Sequence, residues 1–201
     1  MIVAMLINTR AICGNTTILA GSISGQKAAD ALRKLTTDEI LASNLNTIEG
    51  DLVRIDLSAV ETVSSSFLRE FLSPFFAVDG RGGDIHENIA PAFVGVSSED
   101  LETELSEYFA GRGIAIRTSK EPEDSDYVWT GRLEKAVSES LKILDSHGPA
   151  TAADLFEKYP SNCSGQTTWN NRLVTLSKLR LAARKRVARN WIYQTHSRRN
   201  I

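Results

Sequence analysis

The amino-acid sequence predicts an α/β (α+β) chain of two domains, on three observations. Over residues 1–118, short apolar runs suited to strands alternate with stretches of helical period. From Thr130 the pattern changes to three helices followed by two strands. The charge divides at the same place: residues 1–129 carry 10 Lys/Arg against 20 Asp/Glu, and residues 130–201 carry 13 against 5. The balances, −10 and +8, add to the net −2 and suggest two parts with different partners. Between them Ser119-Lys-Glu-Pro-Glu-Asp-Ser-Asp126 is polar, acidic and aperiodic. Residues 119–129 therefore read as a linker between domains at 1–118 and 130–201.

The composition of the 201 residues, 42% apolar and 24% charged, excludes wholesale disorder, collagen and a coiled-coil rod. No apolar run approaches the ~18 residues of a membrane span. The first ten residues put no basic stretch ahead of their apolar run, which makes a poor signal peptide. Cys13 and Cys163 lie far apart in sequence and are expected to be buried thiols in a reducing compartment. The expected location is the cytoplasm.

Taken in order, residues 2–8 and Thr17–Ala20 are apolar runs of strand type. Ser24–Leu35 places Ala28, Ala29, Leu32 and Leu35 at helical spacing. Thr36-Thr-Asp-Glu39 has the form of a capping box that continues or restarts that helix. Leu52–Leu57 is a strand with Val53, Ile55 and Leu57 on one face. Ser65–Phe76 is a helix with Leu68, Phe71, Leu72, Phe75 and Phe76 on its buried side. The segment Asp79-Gly-Arg-Gly-Gly-Asp84 lacks the Lys-Ser/Thr of a phosphate-binding P-loop and reads as a flexible turn. Ala92–Val96 is a strand. Ser97-Ser-Glu-Asp100 caps a helix carrying Leu101, Leu105 and Phe109, which Gly111 and Gly113 end. Ile114–Arg117 returns as a strand. Strands alternating with helices predict a sheet with helices packed against it.

Residues 51–73 resemble the central strand–turn–helix of STAS domains, the family of the anti-sigma factor antagonists. Asp56, Ser58, Val60 and Val63 fit its strand and link, and Ser64-Ser65-Ser66-Phe67-Leu68 occupies the family's Asp-Ser-Ser-Gly-Leu position. The resemblance covers roughly residues 20–117. It implies a phosphoacceptor at Ser65, flanked by Ser64 and Ser66, and a partner kinase with a GHKL-type ATP-binding fold. Physical chemistry gives these hydroxyls two readings: caps for the unsatisfied N–H groups of a helix start, or a place where the same groups would accommodate a phosphate. Ser64 and Phe67 depart from the family, which has an acidic residue and a glycine there.

In the basic half, Leu133, Val137, Leu141 and Leu144 form an amphipathic helix that stops near His147-Gly148-Pro149. Thr151-Ala-Ala-Asp154 is a capping box for a short second helix ending at Tyr159-Pro160. A third helix runs from Gln166 to about Leu179, with Trp169, Leu173, Leu176 and Arg180 on one stripe. Leu181–Val187 and Trp191–Thr195 read as a hairpin with Trp191, Tyr193 and Thr195 on one face. Three helices followed by a basic hairpin resemble a winged helix-turn-helix.

That resemblance makes the third helix a recognition helix. With Trp169, Leu173 and Leu176 inward, Thr167, Asn171, Thr175 and Lys178 point away, flanked by Thr168 and Arg172. Asn and Arg can pair bidentately with base edges in a major groove. Arg184, Lys185, Arg186 and Arg189 on the wing would meet phosphates, which gives salt-dependent affinity with little sequence information. The expected partner is double-stranded DNA, with a homodimer left open because such regulators often read paired half-sites. The rival reading is a partner-switching adaptor whose winged helix docks protein. His86, His147 and His196 show no metal-ligand spacing, and Ser65 has no base partner or nucleophile elbow. No enzyme activity, cofactor or membrane contact is expected.

Overall fold

A computed structural model describes residues 5–42, 51–76, 83–123 and 127–196. Among these, seven α-helices and nine strands build a mixed α/β structure whose main sheet is mostly parallel. The chain begins β1 (Met5–Asn8), α1 (Thr9–Cys13), β2 (Ile18–Leu19), α2 (Ser22–Ala42), β3 (Asp51–Asp56) and β4 (Thr62–Val63). It continues α3 (Ser65–Phe71), β5 (Ile89–Val94), α4 (Glu99–Ala110), β6 (Ala115–Thr118) and β7 (Val128–Gly131). The sheet order is β1-β3-β5-β6-β7, parallel throughout except for β7, which runs antiparallel to β6. β2 and β4 form a separate small parallel pair.

Because the parallel strands follow one another in sequence, right-handed crossovers put α2, α3 and α4 on the same side of the sheet. Alternation does the rest. Ile7, Val53, Ile55, Phe93 and Ile116 pack with Leu32, Phe67, Phe71, Leu101, Leu105 and Phe109 in one core. The other side carries a row in register across all five strands: Leu6, Arg54, Ala92, Arg117 and Trp129. The Arg117 guanidinium lies 4.9 Å from the centre of the Trp129 ring system.

The helix starts follow their capping chemistry. Ser98 Oγ accepts the Leu101 N–H at 3.1 Å, and Glu99, Asp100 and Glu102 sit at the positive end of α4. α3 is shorter than its expected span of 65–76. Pro74 cannot donate and disfavours helical backbone at Ser73, so the chain leaves the helix after Phe71 and continues in turns. α2 runs through Thr36 without restarting, and the Thr36 hydroxyl bonds back to Leu32 O at 2.7 Å. Residues 2–4 of the expected first strand, the glycines at 80 and 82, and residues 124–126 lie outside the described residues.

Two short elements carry no periodic signal. α1 has five residues, with Asn8 Oδ1 accepting the Arg10 N–H at 2.9 Å. β7 takes Val128 and Trp129 out of the expected linker and Thr130 and Gly131 out of the start of the helical region. Four residues with an exposed–exposed–buried–intermediate pattern do not alternate visibly, and pairing with β6 together with packing on α4 organises them. The Thr118 and Thr130 hydroxyls meet across this pair at 2.7 Å.

The remaining elements are α5 (Lys135–His147), α6 (Ala152–Lys158), α7 (Gln166–Lys178), β8 (Ala182–Val187) and β9 (Asn190–Thr195). They enclose a second core of Val137, Leu141, Leu144, Leu155, Trp169, Leu173, Leu176 and Tyr193. α5 stops where Gly148 adopts φ +84°, a conformation that costs glycine little. α6 opens with a reciprocal box. Thr151 Oγ1 accepts the Asp154 N–H at 3.2 Å, and Asp154 Oδ2 accepts the Thr151 N–H at 2.8 Å. The backbone bond from Thr151 holds the Asp154 carboxyl below its ordinary pKa.

Candidate nucleic-acid interface

α7 has one anchored face and one polar face. Trp169, Leu173 and Leu176 are fully buried, while Thr167, Asn170, Asn171 and Lys178 are exposed. Asn170 is a member of the polar face that the stripe argument left out, although its spacing of three from Thr167 identifies it. The other expected contacts are committed locally. The Thr168 hydroxyl sits 3.0 Å from that of Ser164, and Thr175 Oγ1 donates to Asn171 O at 3.0 Å. Arg172 Nη1 donates to Asn162 O at 3.1 Å, with its guanidinium 5.9 Å from the Trp169 ring centre. Arg172 therefore braces the approach to α7 as well as facing outward.

The hairpin closes through Ala188 and Arg189, with Ala188 at φ +54°. Arg186 and Arg189 are exposed, and Lys185 is half-buried. Arg184 differs. Its Nε and Nη2 reach the two Glu87 carboxylate oxygens at 2.8 and 2.7 Å, and its guanidinium lies 4.6 Å from the Trp191 ring centre. The bond to Glu87 raises its pKa further. The Asn88 side chain completes the contact. Its Oδ1 accepts the Arg184 N–H at 2.8 Å and its Nδ2 donates to Arg184 O at 2.8 Å. Of the four basic hairpin residues, Arg184 is thus held by the turn that leads into β5.

Two residues before the hairpin, Arg180 strengthens that junction. It follows α7 at φ +60°, in a Schellman ending closed by Arg180 N–H to Ser177 O at 3.0 Å and Leu181 N–H to Leu176 O at 2.9 Å. Glycine is the usual occupant of such a position. Here the side chain justifies the strain. Its guanidinium is buried and donates to Phe75 O at 3.1 Å, Ile85 O at 2.7 Å, Ile89 O at 3.5 Å and, closer still, His86 O. Burial pushes its pKa down to about 10, an effect the Glu87 carboxylate opposes. His196, at the end of β9, is also buried. Neither ring nitrogen meets a hydrogen-bond partner among the described residues, and burial together with Arg117 and Arg180 holds its pKa down to about 3.

The serines of α3 separate by role. Ser64 is the cap: its Oγ accepts the Phe67 N–H at 3.2 Å and the Gly21 N–H at 3.3 Å, and lies 3.0 Å from the half-buried Ser66 hydroxyl. Ser65 is exposed. Phe67 is a core residue, stacked on Phe71 at 5.3 Å between ring centres. Among the described residues no cluster of three or more His, Cys, Asp or Glu is placed to hold a metal. Among the described residues no helix is long and apolar enough to cross a membrane. Cys13 and Cys163 are half-buried free thiols, and burial raises the Cys13 pKa to about 11.

Comparison with family models, curated proteins and solved structures found no match.

Proposed function

We propose that this chain is a DNA-binding transcription regulator. In this reading residues 132–196 form a winged helix-turn-helix domain whose α7 enters a major groove, and the STAS-like sheet receives a protein partner or signal. The observation that carries it is the polar face of α7. Thr167, Asn170, Asn171 and Lys178 stand free on a helix anchored by three fully buried side chains, beside a hairpin tipped by Arg186 and Arg189. Such a helix presents amide groups to base edges, and the tip supplies charge for phosphates. Lys185 is placed with the tip as a further phosphate contact. Arg184 leaves the contact set in this reading, because Glu87 neutralises it.

The test is fluorescence anisotropy of the full chain on DNA from upstream of its own gene, at two salt concentrations, with scrambled DNA as control. Sequence-selective binding that weakens steeply with salt supports the reading. Failure to bind either DNA at low salt would remove it.

A second reading is favoured by the exposure of Ser65 beside two committed hydroxyls. Phosphorylation there, by a GHKL-type kinase, would regulate a partner-switching adaptor whose basic half docks protein. Incubation with the kinase encoded nearest the gene, followed by mass spectrometry, should place phosphate on Ser65. An unmodified Ser65 would discard this reading.

A further inference from the structure

Where β7 meets α5 the fold leaves a cavity of about 160 Å³, lined by Ala115, Trp129, Leu133, Leu141, Lys142 and Asp145. The recess is half open to solvent, so this volume measures the part of an occupant that it can enclose, below the ~300–1,000 Å³ of drug-sized pockets.

The walls specify its chemistry. Ser138, Leu141, Lys142 and Asp145 stand at i, i+3, i+4 and i+7 along α5 and share one face. This face brings one cation and one anion to the mouth, on positions whose Cβ atoms lie about 5–6 Å apart in a helix. The two do not pair with each other. Lys142 forms no hydrogen bond or ion pair with a described residue, and Asp145 commits only Oδ1, to the Thr195 hydroxyl at 2.8 Å. Leu133, Leu141 and Ala115 make the inner wall apolar. Trp129 is 41% exposed and already carries the Arg117 guanidinium against its ring. The lining therefore combines apolar walls with two opposite, solvent-exposed charges that do not pair with each other. An anionic metabolite would meet Asp145 and a cationic one Lys142, whereas a zwitterion has a partner for each of its charges.

We infer that this cavity binds a small zwitterion, an α-amino acid with an apolar side chain. Its ammonium lies toward Asp145 and its carboxylate toward Lys142, with the side chain against Leu133, Leu141 and Trp129. This inference does not rest on the DNA-binding reading. It gives the junction of sheet and α5 a ligand of its own.

The probes are L-leucine, L-valine and L-phenylalanine, titrated calorimetrically into the full chain. Leucinamide, which lacks the carboxylate, and N-acetyl-leucine, which lacks the ammonium, serve as blocked analogues. At least one amino acid should give saturable heat, and each blocked analogue should bind at least roughly tenfold more weakly, about one decade in Kd. Lys142→Met should weaken leucine while leaving leucinamide unchanged. Asp145→Asn should weaken leucine while leaving N-acetyl-leucine unchanged. Both side chains are exposed, and circular dichroism verifies that the variants fold. Heat no larger than dilution up to about 10 mM, a concentration worth under ~3 kcal/mol of affinity, would end the proposal. Equal binding of free and blocked leucine would end it too.

Discussion

Asn88 treats Arg184 as a neighbouring strand would, giving a donor to its carbonyl and an acceptor to its N–H, both at 2.8 Å. The outer edge of β8 is satisfied there by a side chain 96 residues away in the sequence. Asn88→Ala removes both bonds at once and leaves two half-buried backbone groups unpaired. The expected loss is about 1–3 kcal/mol of stability, read as a lower urea midpoint. An unchanged midpoint would mean that water replaces Asn88 without cost.

Arg180 combines a strained backbone with a guanidinium that serves four carbonyls. Two substitutions separate those effects. Arg180→Gly loses the hydrogen bonds and relieves φ +60°, whereas Arg180→Ala loses the bonds and keeps the strain. Both should be less stable than the parent chain, with glycine above alanine by about 1 kcal/mol. The reverse order in thermal or urea unfolding would show that Arg180 relaxes out of the left-handed region when its side chain is removed.

His196 makes stability depend on pH. Its folded pKa, about 3, lies below the ordinary histidine value of about 6.5, so the unfolded chain takes up the proton first. Its contribution is fully present above pH ~6.5 and declines as pH falls toward 3, by at most about 1.4 kcal/mol per pH unit. His196→Leu should flatten that part of the profile relative to the parent chain. Parallel unfolding curves for the two proteins between pH 6.5 and pH 4 would contradict a buried neutral imidazole.

The wing arginines should behave differently in DNA binding. Arg186→Ala is expected to lower the salt slope of log Kd against log salt by about one, the signature of a lost phosphate contact. Arg184→Ala is expected to leave that slope unchanged and to lower the thermal midpoint, because its partner is Glu87. Equal slope changes for the two would place both on DNA.

The elements read best from sequence are those whose signal is local. The ends of α5 and α6 are written in Gly148 and in the Thr151–Asp154 box, and α7 in the spacing of Trp169, Leu173 and Leu176. What stayed hidden is set by partners far along the chain. β7 acquires its character from β6, and nothing in Val128–Gly131 announces a strand. Arg184 looked like one of four equivalent basic residues, since its pairing with Glu87 spans 97 positions. Arg180 sits in a left-handed turn with no glycine to mark it, because a non-local set of carbonyls compensates the strain. The serines show the same limit. Their capping chemistry was legible, but not that Ser64 takes the bond and Ser65 stays open.

Only Arg132, Leu133 and Glu134 separate the last strand of the sheet from α5, and the Arg132 N–H is still bonded to Ile114 O at 3.2 Å. Three residues span about 10 Å at full stretch, too little slack for a free pivot. The same helices are also tied to the turns before β5 through Arg180 and Arg184, so the sheet and the helical half are joined at two separate places along the chain.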